Sequence, residues 1–114
     1  MQDIYYNNIL DEVNKFVPEF QTIFDKEDIY PFMFEFGQFI IENFQNEEIL
    51  GRSVRFINDA LKTSSTLIED LIVIQIFQQI YSDKKLLIRF KDKLSIQGNI
   101  IFDKYYVEYK KYYS

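Results

Sequence analysis

The sequence predicts an all-α fold, a single domain spanning residues 1–114 in which five or six helices surround one central buried helix at residues 66–81. Three observations lead there. Residues 71–77, LIVIQIF, are apolar at every position except Gln75, so the segment must be covered on nearly all sides whatever structure it takes. Its flanks favour a helix over a strand: Thr66 is followed three residues on by Glu69, a capping-box pattern, and Glu69 and Asp70 put negative charge where the dipole of a first turn favours it. On both sides of this segment apolar residues recur at intervals of three and four, the period of an amphipathic helix.

Taken in order, the first expected helix runs from Asp3 to Val17, with Tyr6, Ile9, Leu10, Val13, Phe16 and Val17 on one stripe. Pro18 lacks an amide hydrogen and pushes Val17 out of helical conformation, so the helix ends there and FVPEF turns a corner. Residues 19–27 are compatible with a short helical turn. Asp28 is the expected N-cap of a second helix that runs to about Phe44, with Pro31 in its first turn and Phe32, Phe36, Phe39, Ile40 and Phe44 facing inward. Gly37 interrupts this helix at a cost of about 1 kcal/mol relative to Ala, which points to another backbone crossing closely there.

A third helix follows Gln45 and Asn46. It carries Ile49, Leu50, Val54, Ile57, Ala60 and Leu61 on one face, with Arg52, Arg55, Asp59 and Lys62 on the other, and ends near Thr63. The short TSS connection makes it a hairpin with the central helix. Ser82 and Asp83 close the central helix and cap a fifth, with Leu86, Leu87, Phe90 and Leu94 inward and Lys84, Lys85, Arg89, Lys91 and Lys93 toward water. Gly98 and Asn99 read as a turn. In the tail, Ile101, Tyr105, Tyr109 and Tyr112 fall at helical spacing with Phe102, Tyr106 and Tyr113 beside them, a sixth helix with a broad aromatic face.

Composition narrows the chemistry. With 47% hydrophobic and 18% aromatic residues the chain lies outside the disordered class. It has no cysteine and no histidine, which removes disulfides, thiolate and imidazole ligands and the usual near-neutral general base. No window approaches the ~18 apolar residues of a membrane span and MQDIYYNN is not a signal segment, so no membrane association and a cytoplasmic location are the default expectations.

Charge is unevenly distributed. Residues 1–50 hold eleven Asp and Glu against two Lys, a net −9, whereas residues 51–114 hold seven against eleven Lys and Arg, a net +4; together they give the chain's −5. Asp25, Glu27, Asp28, Glu35, Glu42, Glu47 and Glu48 surround the second helix and its flanking turns, a density able to steer a basic partner.

Enzymatic readings find little to stand on. The adjacent acids Asp11–Glu12, Glu47–Glu48 and Glu69–Asp70 point about 100° apart on a helix and do not converge on an ion or substrate. The three glycines are isolated, so no phosphate-cradling loop exists. Neither an enzyme nor a cofactor is expected. Lys and Tyr intermingle at residues 104–113, but a net charge of −5 opposes nucleic acid, and tyrosine faces serve as core or protein interface.

The stretches FVPEF (16–20), YPFMFEFGQFII (30–41), RFINDALKTS (55–64) and IEDLIVIQIFQQIY (68–81) resemble a group of small, uncharacterised all-helical bacterial proteins. In that group an R-x-x-x-F-I motif, here Arg52, Phe56 and Ile57, precedes a short connection and an apolar helix ending in a Leu-Glu-like pair, replaced here by Gln78 and Gln79. The similarity spans roughly residues 10–95 and leaves out the tyrosine-rich tail. Members look like immunity proteins or antitoxin-like partners of bacterial toxin cassettes, which implies binding to a cognate protein toxin and inhibition of it.

The resulting expectation is a non-enzymatic immunity protein that occludes a basic effector domain with the seven acids named above, as a monomer or weak homodimer. Two alternatives stay open. One is a helical adaptor that self-associates through the tyrosine face at Tyr109 and Tyr112; the other is a carboxylate metal enzyme.

Overall fold

The structure is a computed structural model that describes residues 4–113, so the expected helix start at Asp3 lies outside the described residues. It is all-helical, with no strand among the described residues. We number seven helices: α1 (Ile4–Asn7), α2 (Ile9–Phe16), α3 (Ile29–Glu42), α4 (Glu47–Leu61), α5 (residues 66–80), α6 (Lys84–Lys93) and α7 (Ile96–Tyr113).

The expected first helix is in two pieces because Asn8 competes with its own backbone. Its side-chain amide donates to the Ile4 carbonyl at 2.8 Å, taking the acceptor that a continuous helix gives to the Asn8 N–H. Val17 then leaves helical conformation (φ −134°, ψ 73°), as a residue before proline does. Residues 17–28 contain turns but no helix. Asp28 stands at the start of α3 without a side-chain cap; its carbonyl accepts from Phe32 at 2.9 Å. The helix stops at Glu42, two residues short of Phe44, where Asn43 bonds the Phe39 carbonyl at 2.9 Å through its side chain.

Helix α4 starts at an Asn46 cap, whose side chain accepts from Ile49 at 3.1 Å. Its inward face is wider than the sequence pattern gave. Phe56 and Ser53 are fully buried in addition to the expected stripe, because α2, α3, α5, α6 and α7 all pack on this one helix. Helix α4 is therefore as central as α5.

Helix α5 is an α-helix over Thr66–Ile72, a π-helix over Val73–Phe77 and a last α-turn at Gln78–Ile80. Its cap is Ser65, whose hydroxyl accepts from Ile68 at 3.3 Å, so the capping position lies one residue before the expected Thr66. Leu71, Ile72, Val73, Ile76, Phe77 and Ile80 are buried, but Ile74 is 52% exposed, so the apolar run is covered on most sides rather than all.

The π segment sits where α3 crosses α5. The Gln79 side-chain amide donates to the Gln75 carbonyl at 2.7 Å and the Phe34 carbonyl at 3.0 Å, bridging the two helices. Gly37 makes room for this bridge: a Cβ there would come within 2.4 Å of Gln79 Nε2 and 3.0 Å of the Gln75 carbonyl oxygen. The close approach expected at Gly37 is thus present.

Helix α6 begins at Asp83, whose carboxylate accepts from the amides of Lys85 and Leu86, both at 3.1 Å. The turn expected at Gly98 and Asn99 falls instead at Leu94 and Ser95, and both residues lie inside α7. The turn is fixed by Asn58 of α4, which donates to Lys93 O at 3.2 Å and accepts from Ser95 N–H at 2.9 Å. Gly98 is a packing glycine, since a Cβ would meet Leu94 Cδ2 at 3.1 Å and Asn58 Oδ1 at 3.2 Å.

Rings organise the interior in two groups. Phe16, Phe20, Phe32, Phe36, Phe39 and Phe56 interlock with centroids 5.3–6.5 Å apart at the N-terminal end. Phe77, Phe90, Phe102, Tyr81, Tyr106, Tyr109 and Tyr113 do so at the other, at 4.6–6.4 Å. Edge-on and offset geometry at these separations adds about 0.5–1.5 kcal/mol per pair beyond area burial.

Candidate functional site

A cleft opens beside each ring group, and a further one of about 360 Å³, lined by Tyr6, Asn7, Leu10, Lys26, Glu27 and Ile29, adjoins that at the phenylalanine end. The cleft at the phenylalanine end, about 770 Å³, lies between α2 and the non-helical segment 20–27. Phe20, Phe24, Phe32 and Leu10 supply its apolar lining, and Asn7, Asn8, Asp11, Asn14, Gln21, Thr22, Asp25, Lys26 and Glu27 its polar lining. Three carboxylates against one ammonium leave this lining with a formal charge of −2 at pH 7. The segment is anchored at its start: Phe20 packs against Phe32, Phe36 and Phe39, and the Thr22 hydroxyl donates to the Glu35 carboxylate.

The expected acids are thereby sorted. Asp25 and Glu27 line the cleft, with Asp25 Oδ1 accepting from the Glu27 amide at 3.0 Å, and Asp28 follows on the same exposed segment. Glu35 is occupied by Thr22, and Glu42 is exposed at the far end of α3. Glu47 is held by Arg89 and by Lys93, the latter at 2.9 Å, which ties the start of α4 to α6. Glu48 reaches Arg52 at 3.6 Å. Of the seven acids, Asp25 and Glu27 line this cleft, while Glu35, Glu47 and Glu48 are engaged by other parts of the chain.

Arg52 also donates to both Glu19 oxygens, at 2.8 and 2.5 Å, and to the Phe16 carbonyl at 3.1 Å. These bonds hold the Glu19 carboxyl down to about 2 and raise the Arg52 guanidinium. Arg52, expected on the open face of its helix, instead clamps the FVPEF corner, its side chain 20% exposed.

Asp11 and the amides were missed by the sequence reading, although a signal was there. Asn7, Asp11 and Asn14 recur at intervals of four and three, a polar stripe beside the apolar one. Glu19, Glu47 and Glu48 meet cations, whereas no cation lies at ion-pair distance from Asp11, Asp25 or Glu27 among the described residues.

The cleft at the tyrosine end, about 310 Å³, is bordered by Val73 and Gln78 of α5 and by Tyr105, Glu108, Tyr109, Tyr112 and Tyr113 of α7. Tyr109 is half-buried against Tyr81, while Tyr112 is 83% exposed. The Tyr105 hydroxyl donates to Glu69 at 2.7 Å, which, with burial, pushes its phenol up to about 12. Burial raises the Tyr81 phenol as well, and its hydroxyl donates to the Phe102 carbonyl at 2.8 Å.

Among the described residues no group of three or more Asp or Glu is placed to hold a metal ion. No helix there is long and apolar enough to cross a membrane. In comparisons with family models, with curated proteins and with solved structures, nothing matches this chain.

Proposed function

We propose that the protein is a non-enzymatic binding partner of the immunity type, which masks a basic protein, a toxic effector domain, by placing the cleft between α2 and segment 20–27 over it. The observation that carries this reading is the uneven cancellation of charge. Glu19 and Glu48 share Arg52 and Glu47 meets Arg89 and Lys93, whereas Asp11, Asp25 and Glu27 gather around one concavity with no cation at ion-pair distance among the described residues. A Lys or Arg side chain entering the cleft meets carboxylates and side-chain amides over an aromatic floor, which suits both its charge and its apolar stem.

Occlusion is the mode of inhibition. An interface of roughly 800 Å² per partner is a modest share of the 6978 Å² surface. Unpaired surface carboxylates accelerate encounter with a cation, and screening by salt weakens that effect.

The test is co-expression with the product of the neighbouring gene, scored by growth and by co-purification. Rescue and a complex are expected, with the combined Asp11→Asn, Asp25→Asn, Glu27→Gln variant associating about tenfold more slowly and losing most of its salt dependence. Absence of both rescue and complex ends this reading. An unchanged association rate in the variant removes the cleft from it.

A further inference from the structure

The tyrosine cleft has a chemistry unlike that of the acidic one. Four phenol rings, Tyr105, Tyr109, Tyr112 and Tyr113, border about 310 Å³ together with a single carboxylate, Glu108, and no Lys or Arg is in the lining. Glu108 is only loosely held from outside, by Lys111 at 3.5 Å. The face of an aromatic ring carries negative potential, so rings and carboxylate present the same sign to anything that enters.

The rings nearest the core are fixed before anything binds. Tyr105 is tied to Glu69 through its hydroxyl, and Tyr109 lies between Tyr81 at 5.1 Å and Tyr113 at 4.6 Å. The opposite wall depends on the π segment. Five residues apart on an α-helix diverge by about 140°, yet Val73 and Gln78 border the same cleft. The wider π turn accounts for it, with the Gln78 N–H donating back to the Val73 carbonyl.

We propose that this cleft is a binding site for an alkylated ammonium group, the cation whose charge is diffuse and whose methyls sit against ring faces. A bare ammonium is strongly hydrated and gives up that water only to several converging oxygen acceptors, whereas this lining has one carboxylate, Glu108, one amide oxygen, Gln78, and phenol oxygens at the tips of rings that present mainly their carbon faces. A trimethylammonium group sheds its water at little cost and gains from several faces at once. The chain already places cations on rings of this helix: Lys104 Nζ stands 5.1 Å from the centroid of Tyr105, itself one of the lining rings, and Lys110 Nζ 4.8 Å from that of Tyr106 outside the lining.

With no tryptophan in the chain, four of the nine tyrosines that make up its fluorescence line the site, so binding is followed by the change in that signal and checked by calorimetry. Choline is titrated against its uncharged isostere 3,3-dimethylbutan-1-ol, and a trimethyl-lysine peptide against the same peptide carrying plain lysine. Saturable binding of the methylated cations is expected, with none of the isostere or of plain lysine. Tighter binding of the peptide than of choline identifies a protein-borne cation, and the reverse a free one.

Exposed Tyr112 can be changed without disturbing the fold, so Tyr112→Ala is expected to weaken binding about twofold to fivefold and Tyr112→Phe to restore it. Equal binding of choline and its isostere, or no binding of any methylated cation, overturns the proposal. So does light scattering that finds a concentration-dependent dimer lost in Tyr112→Ala, which would make this face a contact between copies.

Discussion

The phenylalanine group at the N-terminal end and the tyrosine group at the other do opposite things at the surface. Phe20 and Phe32 reach the acidic cleft only as its floor, and the polar groups there are carboxylates and amides of α1, α2 and the non-helical segment. At the tyrosine end the rings run continuously from fully buried Phe102, through Tyr81 and Tyr109, to exposed Tyr113. A hydroxyl makes the difference. A phenylalanine cluster hands over to other side chains at the surface, whereas tyrosine suits both settings, since its hydroxyl is satisfied by protein inside, as Tyr81 is by Phe102 O and Tyr105 by Glu69, and by water outside.

The contrast is broken hardest by removing an anchor ring. Phe102 is fully buried and meets Phe77, Tyr81 and Phe90, so Phe102→Ala is expected to cost about 3–5 kcal/mol in urea unfolding, with the tyrosine near-ultraviolet signal lost. Phe20→Ala belongs at the low end of that range, since Phe20 stands at the edge of the core, and is expected to leave the tyrosine signal unchanged. An equal disturbance of the tyrosines by both variants would show that the two ring groups act as one.

A smaller change tests the crossing between the halves. Gly37→Ala forces apart the Gln79 bridge and the Gln75 carbonyl; overpacking of about 1–3 kcal/mol, offset by about 1 kcal/mol of helix propensity, leaves a net loss of up to about 2 kcal/mol. A gain in unfolding midpoint would contradict the tight contact.

The smallest effect sharpens the electrostatic side. Hydrogen bonds from Arg52 hold Glu19 near 2, below its ordinary 4.5. A carboxyl lowered on folding stabilises fully above its unfolded value, and that contribution fades as pH falls through the folded one. Wild type and Glu19→Gln are therefore expected to differ most above pH about 4.5 and to converge near pH about 2 when their urea midpoints are compared. A constant gap would assign the residue's role to packing rather than charge.

Much of the fold was legible because local rules and tertiary demands agree. Pro18 ends a helix, Asp83 begins one, and Gly37 marks a crossing, each through constraints carried by one or two residues. The readings failed where a distant group intervenes. Gly98 has the composition of a turn but is a helical glycine, because Asn58 had already fixed the turn at Ser95 and leaves no space for a Cβ. Glu47 and Arg52 have the look of a solvated face, but α6 and the FVPEF corner supply their partners. Of the candidate site, Asp25 and Glu27 were found and Asp11 was not, since its neighbours across the cleft lie on another segment of the chain.

What the sequence determined by itself is the helical class, most element boundaries and the apolar identity of the core, because the spacing of apolar residues and the capping of helix ends are local physics. Only the tertiary structure decided which acids keep their charge unopposed, that α4 shares the centre with α5, and that a π turn brings Val73 and Gln78 to one cleft. Those outcomes depend on which side chains meet across the fold, and a linear pattern of residues does not carry that distance.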